Sequence, residues 1–444
     1  MKKIYQLLLL VVAMTLSIDT HGQDGTPITL ITNAKIFDGV NEKLIEGDIL
    51  IENNLIKEIS SSIKAPKDAT IIDAGGKTVI PGLIDAHWHT TYAYTPAAVL
   101  FLNQGDMPEV AIRSMTGAEK TLLRGFTTVR DPGGNPFAIK KLIDAGEYPG
   151  HRILPSGPFM SPTSGHADYY GKLEIPRDKD YMNYWERNWM AMTSDGVDEV
   201  RLRTRDILKM GATQIKITTG GGVASEFDPL DVTEYSTEEI KAVVEEAKNY
   251  NTYVTSHVYT DEGVRKSIEA GVMCIEHGFF VSEETLKLMK EKGAWLSLQP
   301  VFVDDMTWDN PLSQSKFEGI VEAIDKVFPL AKKVGVNIAV GKDHLFGPET
   351  ALQQNEYVTR LGKWFTPYEA LKIYTSENAR LLEMAGPRHP YQDGPLGVVK
   401  EGAYADLIIV DGNPLEDLNL VADPENNFVV IMKDGKVYKN TLDK

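Results

Sequence analysis

Two hydrophobic patterns divide this chain. From residue 28 to 80, runs such as ITLITNAKIFDG, GDILIENNLIKEIS and TIIDAGGKTVI carry β-branched residues broken by Asn-Asn, Asp-Gly and Gly-Gly. Such breaks are turn signals, so this stretch predicts short strands. The pattern returns near the C-terminus in LGVVKEGAYADLIIVDGNP and NFVVIMKDGKVY, the latter turning at Asp434-Gly435. Both ends are therefore expected to form one small β-sandwich domain, from residues 24–80 and 385–444.

Over residues 81–384 the pattern changes. Short apolar runs alternate with amphipathic stretches such as Thr237 to Tyr250, the βαβ signature of a parallel sheet. The runs are LIDAHWH, FTTVRDPG, RILPSGP, QIKITTGG, YVTSHVY, CIEHG, WLSLQP and NIAVGKDH. Eight βα units in this span predict an α/β fold, a (β/α)8 TIM barrel, which typically needs about 250 residues. The runner-up is an open doubly wound sheet, but no Gly-x-Gly-x-x-Gly follows the first run. Two long connections, 159–192 with its many Tyr and Trp residues and 301–317, are expected to cover the barrel mouth or to pack aromatics against its rim.

The N-terminus changes the expected address. Lys2 and Lys3 precede an apolar stretch from Ile4 to Leu16 and a polar tail to Gln23. Residues 1–23 read as a signal peptide, too short for a stable span, with a retained membrane anchor as the alternative. The expected product is exported, periplasmic or secreted, with no membrane contact after signal removal. Cys274 is the only cysteine, so no intramolecular disulfide supports the fold. A formal net charge of −17 without a Lys/Arg cluster argues against a nucleic-acid partner. A homo-oligomer is left open.

Chemistry enters with the ends of the runs. On a strand, alternate side chains share a face, so Asp85, His87 and His89 are expected to point the same way. Lys216 lies in the fourth run, His257 in the fifth, and His277 and Asp343 end the sixth and eighth. In a barrel that end is where active sites form. Each residue alone has an ordinary alternative as a core or surface group; the set together points to metal. His87, His89 and Asp343 can serve one ion, and His257 and His277 a second. A protonated Lys216 would repel the pair, whereas a neutral amine can add carbon dioxide and become an anionic bridge. The alternative for Lys216 is a lysine reaching a nearby carboxylate.

With these residues in place, the chain resembles the amidohydrolase superfamily in its binuclear form. PGLIDAHWH, GFTTVRDPGG, CIEHG and EGAYADLIIVDGNPLED are similar to that superfamily's sequence blocks, in order, across the whole chain after the leader. The nearest resemblance is to its imidazolonepropionase-like group, with metal-dependent, prolidase-like dipeptidases and N-acyl amino acid amidases. The resemblance implies two divalent ions, zinc the expected metal, with N6-carboxylysine at Lys216 bridging them. A hydroxide between the ions would attack the amide carbonyl, with Asp343 taking its proton and passing it to the leaving nitrogen. It also implies that His166, in SGHAD, and Tyr259, in HVY, bind the substrate's terminal carboxylate or its tetrahedral intermediate.

The eighth strand departs from the family's Gly-Thr-Asp, reading Gly341-Lys342-Asp343-His344. Lys342 is expected to point away from the mouth, His344 to be free to meet substrate, and the bulky Trp88 to face the outer layer. The expected substrate is a small molecule or dipeptide with a carboxylate, such as Xaa-Pro or an N-acyl amino acid. A cyclic amide, lactone or phosphotriester would suit the same metals, and a barrel binding protein that has lost catalysis is a third reading.

Overall fold

The computed structural model describes residues 27–102, 106–174, 181–225, 227–305 and 310–442; the expected signal segment lies outside them. No helix among the described residues is long and apolar enough to cross a membrane.

The two chain ends meet in one eight-stranded mixed sheet. Ile28–Ile36 pairs antiparallel with Ile45–Glu52 and parallel with Thr70–Asp73 and Thr78–Pro81. Thr78–Pro81 in turn pairs antiparallel with Leu407–Val410, which leads to Phe428–Lys433 and Lys436–Asn440. Ile31, Ile49, Val79, Leu407 and Val430 belong to its own hydrophobic core.

All eight apolar runs contribute parallel strands: Leu83–Asp85, Phe126–Asp131, Arg152–Pro155, Ile215–Thr218, Val254–Val258, Cys274–His277, Trp295–Leu298 and Asn337–Val340. The first three form one sheet and the last five belong to another. Backbone bonds close the ring at both junctions. Ala86 N–H donates to Val340 O (3.2 Å) and Asp343 N–H to His87 O (2.7 Å), while Thr213 N–H donates to Pro155 O (2.8 Å). The structure is thus a barrel-like α/β fold. Its strands pack outward through Ile215, Ile217, Ile275 and Leu296 against helical residues such as Val243, Ile268 and Leu286. Helix Thr237–Asn249 starts at a capping box between Ser236 and Glu239, the sequence signal of a helix N-terminus.

Both expected covers contain more regular structure than their composition signalled. In the 159–192 stretch, Phe159–Ser161 pairs with Ala191–Thr193 and with the fourth barrel strand, and Tyr184–Arg187 is a short helix. The aromatics pack on the rim: Tyr169 stacks on Trp185 at 4.4 Å, and Tyr92 lies between His89 and Phe346 at 5.7 and 5.8 Å. The second stretch is no connection beyond residue 310, because Asn310 caps a helix running Pro311–Val334. Residues 306–309 lie outside the described set.

A polar layer fills the barrel interior. Arg130 donates from Nη2 to Glu276 Oε1 (2.6 Å) and from Nε to Ala86 O (2.6 Å), and Thr255 and Ser297 also reach this pair. Burying two charges is tolerated because each is met by the other and by further hydrogen bonds. Arg152 of the third strand is bonded to Asp406 and Asp434 of the terminal sheet, with its guanidinium 4.4 Å from the Tyr404 ring.

Candidate metal centre

The first strand ends at Asp85, earlier than expected, so His87 and His89 stand in the loop beyond it. Asp85 does not share their task. Its Oδ1 accepts from the backbone of His87 (3.0 Å) and Lys342 (3.3 Å), and its Oδ2 accepts from Gln354 (2.8 Å). It ties the first strand to the eighth and so fixes the His87 backbone against that of Asp343. His87 Nε2 lies 3.2 Å and His89 Nε2 3.1 Å from Asp343 Oδ1. The ligand atoms of His87, His89 and Asp343 all fall within 4.8 Å of one another.

His277 approaches from the sixth strand, its Nε2 3.8 Å from Asp343 Oδ2. Its ring is 5.4 Å from that of His87 and 4.5 Å from that of His257 on the fifth strand. Both His277 and Asp343 adopt a left-handed backbone, with φ of 74° and 53°. That conformation is uncommon outside glycine and tends to collect at functional sites. At His277 it breaks the strand alternation, so the neighbours Glu276 and His277 both reach the interior.

The charge environment suits cations. Burial drives the His89, His257 and His277 imidazoles toward their neutral form, with His277 at about 3. Neutral imidazole is the ligating state. Burial works to raise Asp343, yet His87, His89 and His277 hold it well below the carboxylate range. Burial lowers the Lys216 amine, overcoming the attraction of Glu276 and Asp343. Lys216 is buried and faces the interior; its Nζ has no hydrogen bond or ion pair among the described residues. Burial opposes the charge on His87, but Asp343 and Glu276 raise it, which places the strongest attraction for positive charge at the His87–His89–Asp343 cluster; this donor set fits a divalent metal ion.

His166 and Tyr259 lie beside these residues. The His166 ring stacks on His257 at 4.0 Å and 12°; Tyr259 stacks on His277 at 4.9 Å and stands edge-on to His257 at 5.0 Å. Burial, with Asp343 and Asp228 nearby, keeps the Tyr259 phenol protonated and so a donor. His166 Nδ1 is 2.9 Å from both Asp228 Oδ2 and Ser225 Oγ. Its backbone N–H donates to Glu234 Oε1 (2.9 Å), and burial pushes that carboxyl up to about 8.

Lys342 does point away, bonded to the Thr350 carbonyl over the Tyr357 ring. Trp88 is fully buried against Tyr94 and the apolar layer of Ile139 and Ile153. His344 is spoken for: it stacks on Trp88 at 6.1 Å, and its Nε2 lies 2.6 Å from Gly347 O.

Sequence reasoning missed the residues behind the centre. Glu276 Oε2 lies 2.8 Å from His87 Nδ1, and His277 Nδ1–H donates to Gln299 Oε1 (2.7 Å). Partners of this kind fix which imidazole nitrogen faces outward. Burial opposes the charge on Glu276, but Arg130, His87 and Lys216 hold it far below its ordinary range. Glu276 precedes a candidate ligand, a position that strand alternation alone would put on the opposite face. Asp228 had no signal beyond being an acid in a glycine-rich loop.

Comparisons with known proteins give one family. The description "Amidohydrolase family" matches residues 78–440. The ochratoxinase of Aspergillus niger is 31% identical over 434 residues, covering 94% of this chain and 88% of that protein. A prolidase crystallised with N-methylphosphonate-L-proline superposes with a TM-score of 0.85 at 33% identity, covering 93% of this chain and all of that one. A Xaa-Pro dipeptidase with methionine bound in its active site gives 0.78 at 30%, again over 93% and 100%.

Proposed function

Because the chain belongs to the amidohydrolase family, we propose that it hydrolyses an amide bond in a small substrate with a free carboxylate, a dipeptide such as Xaa-Pro or an N-acyl amino acid. The observation that carries this reading is convergence: His87, His89, His257, His277, Lys216 and Asp343 come from five barrel strands or their ends, and His166 and Tyr259 stand against two of them.

His87, His89 and Asp343 would hold one divalent ion and His257 and His277 a second. Neutral Lys216 would add carbon dioxide, lose a proton and bridge them as a carbamate. Such ions supply Lewis-acid polarisation of the carbonyl and acidify a water. Asp343 is the acid–base group. As a carboxylate it accepts a proton from the attacking water, and then releases it to the leaving nitrogen. Tyr259 through its phenol and His166 as an imidazolium, with Nδ1–H held by Asp228 and Nε2–H free, face the substrate as hydrogen-bond donors, which orients a carboxylate-bearing leaving group. The likeness to a prolidase and to an ochratoxinase supports the amide bond over a lactone or phosphotriester.

The test loads the enzyme with zinc in the presence of bicarbonate and screens Xaa-Pro, Xaa-Arg and N-acyl amino acids. Turnover of one class is expected. A fully metallated enzyme that hydrolyses lactones or phosphotriesters but no amide overturns the proposal.

A further inference from the structure

Lys316 is an unusual buried lysine. It projects from the first turns of helix Pro311–Val334 and is 8% exposed. No carboxylate lies within ion-pair distance of it among the described residues. Its Nζ instead donates to three backbone carbonyls, those of Gly222 (3.0 Å), Ser225 (3.2 Å) and Asp228 (3.2 Å). An ammonium has three donors, and all three are used on one short stretch of chain. Burying a charge this way is costly unless every donor is met, so the side chain and the stretch fix each other.

That stretch follows the strand bearing Lys216 and supports His166. Asp228 is buried, and its Oδ2 accepts from Gly222 N–H (2.5 Å) and faces His166 Nδ1 (2.9 Å). A Cβ on Gly222 would collide with the His166 ring, so backbone and ring are in close contact. With Nδ1–H donating to Asp228, Nε2 is the atom left to meet a substrate; it has no partner among the described residues, and it donates to a carboxylate only when the ring is the imidazolium, with the Asp228 carboxylate beside it. The orientation of that nitrogen depends on Asp228, and the place of Asp228 depends on Lys316.

We propose that Lys316 is a positioning residue for recognition of the substrate carboxylate: its ammonium gathers the carbonyls of Gly222, Ser225 and Asp228 so that Asp228 holds His166 toward the site. The proposal rests on the reading of His166 as a carboxylate binder. It assigns a specificity role to a side chain that touches neither substrate nor metal.

The experiment compares wild type with Lys316→Met, Asp228→Asn and the double variant, on an N-acyl amino acid and on the same molecule with its carboxylate converted to a carboxamide. Lys316→Met is expected to raise KM for the acid by about 10- to 100-fold, the scale of a charged hydrogen bond, with kcat within about threefold and the carboxamide unaffected. Asp228→Asn should do the same, and the double variant should be no worse than either single one, since the residues act in series. Lys316→Gln, whose amide can serve two of the three carbonyls, should fall between and covers the case in which methionine prevents folding. Unchanged KM, equal losses on acid and carboxamide, or additive effects overturn the proposal. If wild type itself fails to distinguish acid from carboxamide, the carboxylate reading of His166 fails, and a crystal structure of Lys316→Met or Lys316→Gln decides the rest. A His166–Asp228 contact still at 2.9 Å would refute the positioning role; an opened contact would support it.

Discussion

Glu276 carries two obligations through its two oxygens. Oε1 neutralises Arg130, and Oε2 faces the His87 imidazole. Glu276→Gln keeps the shape and removes the charge, which strands a fully buried guanidinium. Breaking such a pair typically costs about 3–5 kcal/mol, visible as a lower midpoint in urea. Loss of the carboxylate behind His87 should also weaken metal affinity by about 10- to 100-fold, measurable by competition with a chelator. His166→Ala tests the other side of the site. It should raise KM for carboxylate-bearing substrates by about 10- to 100-fold while sparing kcat, because it removes one charged hydrogen bond and no ligand. The front of this site was readable from the residue pattern because His87, His89, His257, His277 and Asp343 lie in or just past apolar runs. The back was not. Glu276 is hidden by the left-handed turn at His277, and Arg130 reads as an ordinary charge at the end of FTTVRD.

At the scale of elements, strand periodicity located all eight barrel strands but missed where they stop. The first strand is three residues long, so the loop that follows, rather than the pleat, aims His87 and His89. Phe159–Ser161 and Ala191–Thr193 escaped detection because three-residue strands among aromatics carry no alternation. The glycine-rich turn after the fourth strand offers a test. Gly222→Ala places a methyl group against the His166 ring. It should raise KM for the acid as His166→Ala does, with metal content unchanged by elemental analysis. A variant with normal KM would show that the ring can move aside without consequence.

For the whole molecule, histidines outside the centre contribute a component of stability that acid removes. His151 is buried with Nδ1 3.2 Å from Ala118 O and Nε2 3.3 Å from Thr90 Oγ1, and burial lowers it to about 3. Burial likewise lowers His389 to about 4. These groups bind protons more readily in the unfolded chain, near 6.5, than in the fold. Their contribution is therefore complete above pH 6.5 and is lost as pH falls from there toward 4 and then 3. Each adds up to about 1.4 kcal/mol per pH unit within its window. Burial raises the carboxyls of Asp85, Asp131 and Glu234, which favours the fold as pH falls, so the test is a difference: from pH 7 to 4.5 the urea midpoint of wild type should fall relative to that of His151→Gln, and a constant difference would locate this acid sensitivity elsewhere.

The strand Thr78–Pro81 sits between Ile28–Ile36 and Leu407–Val410, and Gly82 alone separates it from the first barrel strand. His87 and His89 follow within a few residues. Emerging from the ribosome, the nascent polypeptide makes these two histidines early, yet the neighbour that pins their supporting strand is translated more than three hundred residues later. The pairing of that supporting strand is therefore completed only by the tail of the protein. A chain stalled before residue 407 should bind zinc weakly even with every ligand already synthesised.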